Sequence, residues 1–323
     1  MRIRLLRSGK FLTGGARYEG FLLEGLKKEF LNGPVEVITD KKVFGMITYQ
    51  IQGLFLFIKG WLNSNADANI VTAKIALSSI TRNLLTKNKT IIVLHNYDNN
   101  ENKRLGLRNY FLILFSILKA NPPRVCIVCV SPFFLDFFKK EFVNLPIYHI
   151  PNLFPVENYK IKVDQKDQKK ILLGQYSLKN DNSVYVLAKL LTKAGYHSFF
   201  LTLNPNEASV KEDFEIKYVP FEEYLMEMAT SYCSVAFTGE AEGWNRMAHE
   251  SILVGTPVIG YARGGLGDLL RESDSYIVNT AEEAFDLIVN GKVVFKKNEA
   301  FIEKYDASNS KRYLDPLMKF ILS

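Results

Sequence analysis

Two glutamates eight positions apart, Glu242 and Glu250, are the residues of this chain best suited to chemistry. They lie in the run SVAFTGEAEGWNRMAHESILVGTPVIGYARGGLGDLL, from Ser234 to Leu270. An apolar strand pattern ends at Phe237, and a glycine-containing loop then carries Glu240 and Glu242. A helical pattern starting around Asn245 to Met247 places Glu250 about one turn in. A loop carboxylate and a helix carboxylate can therefore flank one pocket. Backbone amides of Gly243, Trp244, Asn245 and Arg246 fall at the helix N-terminus, where unpaired donors and partial positive charge suit hydroxyls or phosphate oxygens. The helix ends at Gly255, Thr256-Pro257-Val258-Ile259 opens the next strand, and a second glycine turn, Gly264-Gly265, opens another helix against the same rim. The alternative, two carboxylates on a solvated helix face, leaves the glycines at fixed offsets unexplained.

Such a loop needs a sheet behind it, and the chain supplies the pattern of two. Its 323 residues, 47 % hydrophobic and 13 % aromatic, suffice for two domains and exclude disorder as the dominant state. In the first half, short apolar runs at Arg2–Leu6, Val35–Ile38, Ile70–Thr72, Thr90–Leu94, Val125–Val130 and Ile147–Ile150 read as strands between helical stretches. Gly14-Gly15 follows the first strand and precedes a helix over Arg17–Phe30, where backbone amides could approach a ligand closely. No G-x-G-x-x-G marks a dinucleotide site. The lysine-rich stretch Lys160–Lys170 reads as a linker. Beyond it the pattern restarts, with strands at Ile171–Leu173, Ser198–Leu203, Ile216–Val219, Ser234–Phe237, Pro257–Ile259 and Tyr276–Ile277. Two successive α/β domains of this kind leave a cleft, with ligands beyond the carboxyl ends of the strands.

The net charge of +7 is unevenly spread: residues 1–155 hold 21 Lys and Arg against 10 Asp and Glu, residues 156–323 hold 20 against 24. A basic, aromatic half suits an anionic membrane surface or an anionic small substrate. Its cations are scattered and no nucleic-acid motif accompanies them, so nucleic acid is not expected. Cys126 and Cys129 form a C-x-x-C inside an apolar strand pattern and read as core cysteines of a reducing cytosol. The opening residues, Met1 to Arg7, alternate charge and apolar character and read as a strand rather than a secretory signal. Apolar windows near Gly53–Ile58 and Tyr110–Leu118 are too short to span a bilayer. The four histidines show no metal-ligand spacing. His95 ends a strand at the carboxyl edge, and His249 reads as a structural residue facing away from Glu250.

The segments Glu242-Gly243-Trp244, Glu250-Ser251, Gly255-Thr256-Pro257-Val258-Ile259 and Gly264-Gly265 resemble the E-G-F…E-A…G-T-P-V-I…G-G signature of retaining GT-B glycosyltransferases, the group often called family 4. The E-x7-E spacing is reproduced and the agreement runs over roughly thirty positions. Val130-Ser131 with Ile150-Pro151-Asn152, Gly14-Gly15, and Lys170–Gly174 are similar to other segments of that family. The resemblance covers the second half well and the first half thinly.

The resemblance implies a GT-B fold: two Rossmann-like domains, with residues 1–158 binding the acceptor, 159–170 as linker, 171–305 binding the donor, and 306–323 a C-terminal helix that could return to the first domain. It implies a hexosyltransferase acting on a nucleotide-diphosphate sugar and a saccharide or lipid-linked acceptor with retention, without metal or cofactor, in cell-surface polysaccharide or glycoconjugate synthesis. By position, Glu250 and the adjacent Ser251 would meet the ribose side, Glu242 the sugar ring, and the amides of Gly243, Trp244 and Asn245 the sugar hydroxyls or diphosphate. Tyr218 and Val219 would lie by the base, and His95 would reach the donor sugar. Two departures stand out. The family has Gly-Arg and then a Lys after the first donor-domain strand, whereas this chain has Gly174-Gln175 with Lys179 nearby, so Lys179 and Arg246 would share the neutralisation of the diphosphate. Asn245 stands where glycine is usual. The missing arginine keeps a non-catalytic nucleotide-sugar-binding module open as a second reading, and an isomerase on the same fold as a third. The expected location is the cytoplasm, with peripheral contact to an anionic membrane through Phe55–Trp61 or Tyr110–Lys119.

Overall fold

The computed structural model describes the chain except residues 1, 9–13, 31–34, 41–57, 59, 65, 96–107, 177–180, 203 and 240. The chain divides into two compact units: Met1–Leu153 together with Ser308–Ser323, and Phe154–Ala307. In unit 1 the strands are β1 (Ile3–Ser8), β2 (Val35–Asp40), β3 (Ala68–Thr72), β4 (Lys89–Leu94), β5 (Val125–Cys129) and β6 (Ile147–His149). They form one parallel sheet in the order β2-β1-β3-β4-β5-β6. Every residue of β5 is buried, as expected of a parallel strand covered on both faces. The intervening helices are α1 (Gly14–Phe30), α2 (Ala76–Leu85), α3 (Arg108–Lys119) and α4 (Pro132–Glu141). Phe111, Leu114 and Leu118 of α3 and Phe134 and Phe138 of α4 bury against β4 and β5. Ser131 caps α4 by accepting from the Phe134 amide, with Pro132 in its first turn.

The helix α1 starts at Gly14, so the glycine pair forms its first turn instead of preceding it. The C-terminal helix Ser310–Leu322 belongs to unit 1 and crosses α1 closely: a Cβ on Gly25 would lie 2.9 Å from Leu314 Cδ1. Lys89 Nζ donates to the Phe320 and Ile321 carbonyls at 2.6 and 3.0 Å, placing a cation at that helix's C-terminus. Cys126 and Cys129 are buried and free. Three positions apart in a strand they face opposite sides of the sheet, which excludes a C-x-x-C pair. Among the described residues no helix is long and apolar enough to cross a membrane.

Unit 2 contains β7 (Asp167–Gln175), α5 (Ser183–Lys193), β8 (His197–Thr202), β9 (Ser209–Val210), β10 (Glu215–Tyr218), α6 (Phe221–Thr230) and β11 (Ser231–Ala236). It continues with α7 (Arg246–Leu253), β12 (Val258–Gly260), α8 (Gly264–Glu272), β13 (Tyr276–Ile277), α9 (Ala281–Val289) and α10 (Glu299–Lys304). Strand order is β13-β12-β11-β7-β8-β10-β9, with β9 alone antiparallel to its neighbour. The alternation of β7 and β8 builds two cores. Ile171, Leu173 and Phe200 pack under α5 and α9, while Leu172, Phe199 and Leu201 pack with Met228 of α6 and Met247 of α7.

The stretch 160–170 is not a free linker. Tyr159 is buried in the second of these cores, with Ile161 and Val163 packed against it, and β7 already begins at Asp167. Lys166 Nζ donates to the Ala229 and Ser231 carbonyls and to Thr256 Oγ1. Two apolar side chains set among lysines and aspartates carried too little signal, yet they suffice to pin the segment to unit 2. The chain passes between the units at 153/154 and 307/308 instead.

Candidate functional site

In unit 2 the connection order reverses between β7 and β11: β8 and β10 build outward on one side, β12 and β13 on the other. In an open parallel sheet that switch point leaves room at the carboxyl ends of the two strands, where ligands settle. The end of β7 is Gly174-Gln175. Gly174 has φ +101, and a Cβ there would lie 3.3 Å from both the Val235 carbonyl oxygen and Met247 Cε, so only glycine fits without displacing β11 or α7. Gln175 follows, exposed.

Beyond β11 the chain turns through Thr238 to Glu242 and enters α7. Asn245 performs two tasks there. Its Oδ1 accepts from the Ala248 amide at 2.8 Å, capping α7, and its Nδ2 donates to Glu242 Oε2 at 2.9 Å. Asn245 is thus the residue that ties the loop carboxylate to the helix. On the other flank, Gly264 pairs with Glu242 in a backbone bridge, and the Gly265 amide donates to the Glu242 carbonyl at 2.7 Å. Gly264 has φ +57, and a Cβ there would lie 2.6 Å from that carbonyl oxygen. The glycine turn is what allows the start of α8 to lie backbone to backbone against the Glu242 loop.

Glu250 lies in α7 with 2 % of its surface exposed. Arg246 Nε donates to its Oε1 at 2.8 Å and the Tyr159 hydroxyl donates to the same oxygen at 3.2 Å. Burial raises the Tyr159 phenol well above its ordinary range, and the Glu250 charge adds to this. The Arg246 guanidinium stacks over Phe154, 4.9 Å from the ring centroid. A buried carboxylate is tolerable only with such partners. Ser251 Oγ donates to Ser234 Oγ at 2.9 Å, so it fastens α7 to β11. Trp244 Nε1 donates to His249 Nδ1 at 3.0 Å, inside the unit.

Glu242, Gly243, Trp244, Asn245, Arg246, Glu250 and Ser251 therefore form one connected cluster, with Gly174-Gln175 adjoining it through Met247. Val219 and the exposed Tyr218 close β10, separated from β7 by β8, and the Val219 amide donates to the Thr202 carbonyl. Gly14, Gly15 and His95 belong to unit 1, where His95 ends β4 with its ring edge-on to Tyr18 at 5.1 Å. Lys179, Glu240 and residues 55–57 and 59 of the expected amphipathic face lie outside the described residues.

Sequence reasoning missed three participants, Arg263, Asp181 and Tyr159, and read a fourth, His249, as structural, in keeping with its full burial. Arg263, just before the glycine turn, donates through Nη1 to the Thr238 carbonyl at 2.8 Å and pairs with Asp181 at 3.1 Å. Burial works to raise the Asp181 carboxyl, but hydrogen bonds from Ser183 and the Arg263 charge outweigh it and hold the group below the usual carboxylate range. Tyr159 and His249 complete the set. The Arg246–Glu250 pair had a signal, opposite charges four apart on a helix; the other contacts join residues far apart in the sequence. As a whole the cluster offers carboxylate acceptors, helix-terminal amides and guanidinium cations, a set suited to gripping polyhydroxylated and phosphorylated molecules.

No protein-family model and no curated protein sequence matches this chain. Solved structures resemble it along its whole length. HepE from Anabaena in complex with UDP and glucose superposes with a TM-score of 0.70 at 12 % identity, covering 99 % of both chains. Sucrose-phosphate synthase from Thermosynechococcus elongatus gives 0.73 at 12 %, again over 99 % of both chains. A glycosyltransferase from Rickettsia africae gives 0.67 at 15 %, over 100 % of this chain and 98 % of the other. The fold is that of the GT-B class: two Rossmann-like units, each on its own sheet. At these identities the likeness defines the architecture.

Proposed function

We propose that this protein is a glycosyltransferase that moves a sugar from a nucleotide-diphosphate donor to a saccharide or lipid-linked acceptor with retention of configuration. The observation that carries the reading is the cluster that ties the Glu242 loop and Glu250 to one helix, α7, which packs by Met247 against the end of β7 beside the switch point, in a fold shared with a protein solved with UDP and glucose. Glu250, aimed by Arg246 and Tyr159, accepts from the ribose hydroxyls. Glu242 and the amides of Gly243, Trp244 and Asn245 hold the sugar and its phosphates, Gln175 approaches from the end of β7, Lys179 shares the neutralisation of the diphosphate with Arg246, and Tyr218 and Val219 border the base. The acceptor belongs to the basic unit 1, with Gly14, Gly15 and His95 on its binding edge. The acceptor hydroxyl attacks from the face the diphosphate leaves, and a diphosphate oxygen takes its proton. The protein positions the reactants and stabilises the developing charge.

Transfer and hydrolysis assays across UDP-, GDP- and ADP-sugars, with Glu242→Gln and Glu250→Gln alongside, test this. Turnover with at least one donor, lost in Glu242→Gln, is the expected result; no turnover with any donor refutes it. A second reading, a non-catalytic nucleotide-sugar-binding module, draws on Gln175 in place of arginine and on the engagement of Arg246 with Glu250. It predicts donor binding with turnover indistinguishable between wild type and Glu242→Ala. For the acceptor side, Leu112 and Ile113 of α3 are each 54 % exposed on a unit rich in cations, which supports peripheral contact with an anionic membrane at the cytoplasmic face. Liposome flotation checks it: equal recovery with neutral and anionic vesicles rejects the contact.

A further inference from the structure

The residue immediately before Glu250 is a histidine with no exposed surface. The His249 ring is enclosed by Phe154, Phe301 and Tyr305, with centroids at 4.3, 4.8 and 5.0 Å, and by Trp244 at 5.7 Å. The indole N–H can only donate, so its 3.0 Å hydrogen bond fixes His249 Nδ1 as an acceptor and puts the ring proton on Nε2. That Nε2 is buried and meets no hydrogen-bond partner among the described residues. An unsatisfied buried N–H is an expense that a leucine of similar size would avoid, so the acceptor at Nδ1 needs a reason.

The surroundings supply one. Trp244 stands between Glu242 and Asn245, the two residues joined side chain to side chain at the mouth of α7. Beneath His249, the segments where the chain enters and leaves unit 2 are paired: the Phe154 amide donates to the Tyr305 carbonyl at 2.9 Å and the Ala307 amide to the Phe154 carbonyl at 2.8 Å. His249 thus stands between a backbone-paired floor and the indole of the Glu242 loop. Burial and the nearby Arg246 charge lower its basicity, in keeping with a ring that stays neutral.

We propose that His249 is a positioning residue of the donor site. As the neutral Nε2–H tautomer it holds the Trp244 indole, and through it residues 242–245, in the conformation that presents Glu242 to the donor sugar. This rests on the transferase reading for its consequence in turnover but not for its structural content, and the two are tested separately. His249→Leu keeps volume without an acceptor, whereas His249→Asn places an amide oxygen near the position of Nδ1. Hydrogen exchange at the amides of residues 243–248, and acrylamide quenching of Trp244 in a Trp61→Phe background, need no donor. Both are expected to increase in His249→Leu and to return toward wild type in His249→Asn. With a turned-over donor, kcat falls by about 10²-fold in His249→Leu while the Kd for UDP holds, and His249→Asn recovers most of the loss. Exchange and quenching unchanged in His249→Leu overturn the proposal, as does a His249→Asn protein as loosened as the leucine variant. Should His249→Leu not fold, His249→Asn alone decides: wild-type exchange at 243–248 supports the proposal, and loosening there overturns it. If no donor is turned over by the wild type, the transferase reading fails while the exchange arm still judges His249.

Discussion

The buried ion pair on α7 gives a prediction with a calculable size. Glu250 has a side chain only 3 % exposed, and its Oε1 takes both Arg246 Nε and the Tyr159 hydroxyl. Arg246→Met preserves the length and apolar stem of the side chain but takes the Arg246 guanidinium away from the carboxylate. Breaking a buried pair this way costs about 3–5 kcal/mol, because the remaining charge stays desolvated. Arg246 is itself 24 % exposed, so water already screens part of the attraction, and the lower end, about 3 kcal/mol, is the expected loss. Tyr159→Phe removes a longer bond from a neutral donor to a charged acceptor, worth about 1.5 kcal/mol. Removing both charges in Arg246→Met/Glu250→Gln costs less than the two single changes together, because no uncompensated ion remains. Urea unfolding followed by Trp244 emission in a Trp61→Phe background reports on unit 2, with a shift in midpoint at constant slope as the readout. A loss below about 0.5 kcal/mol for Arg246→Met, or strict additivity in the cycle, refutes the claim that the pair is buried and mutually dependent.

Gly264→Ala forces a side chain into a φ of +57 and against the Glu242 carbonyl; a stability loss of about 1–3 kcal/mol and faster exchange at residues 242–245 are expected by urea unfolding and mass spectrometry. Asn245→Ala loses the α7 cap, about 1 kcal/mol, whereas Asn245→Asp keeps the cap but sets a second carboxylate against Glu242; a lower kcat in the aspartate variant at near wild-type stability separates the two roles. Burial lowers Lys166 to about 8, so between that pH and 10.5 the native state has released a proton that the unfolded chain retains. Stability of the wild type relative to Lys166→Met therefore rises with pH across that window in calorimetry, and an unchanging difference contradicts the burial. Lys179→Ala lowers kcat by about 10²-fold with donors that wild type turns over, and a change within twofold shows that it does not serve the leaving group.

Much of this architecture is legible because parallel strands advertise themselves. Val125–Val130 and Thr90–Leu94 are apolar runs that read as buried strands, and the glycine offsets from Gly243 to Gly265 read as a loop, helix and turn where α7 and α8 lie. The segment 160–170 reads as a linker for the opposite reason: Ile161 and Val163 alternate among charges, and only the tertiary surface of unit 2 turns them inward. Strand β9 is two residues long and pairs antiparallel at the sheet edge, too short to leave a pattern. In the candidate cluster, the spacing of Glu242 and Glu250 draws attention to both residues, but the contacts that hold them are not legible in the sequence. Tyr159 lies 91 residues from Glu250, and Asp181 lies 82 from Arg263.

Those holding groups bear on how the leaving diphosphate is neutralised. Among the described residues around the loop between β11 and α7, the carboxylates of Glu242, Glu250 and Asp181 stand with the guanidiniums of Arg246 and Arg263. Each guanidinium already has a carboxylate partner, at 2.8 Å for Arg246 and 3.1 Å for Arg263. A paired cation presents little net field to an incoming anion, because its partner's opposite charge lies only a few ångströms away. The N-terminus of α7 contributes roughly half an elementary charge, less than a diphosphate requires. On the proposed transferase reading, with glutamine following Gly174, the deficit would fall on Lys179, or on Arg246 exchanging Glu250 for phosphate once the ribose hydroxyls took over that carboxylate. Such an exchange would couple recognition to charge stabilisation: a donor lacking ribose hydroxyls would leave Arg246 bound to Glu250 and lose kcat as well as affinity, whereas a site relying on Lys179 alone would lose affinity only.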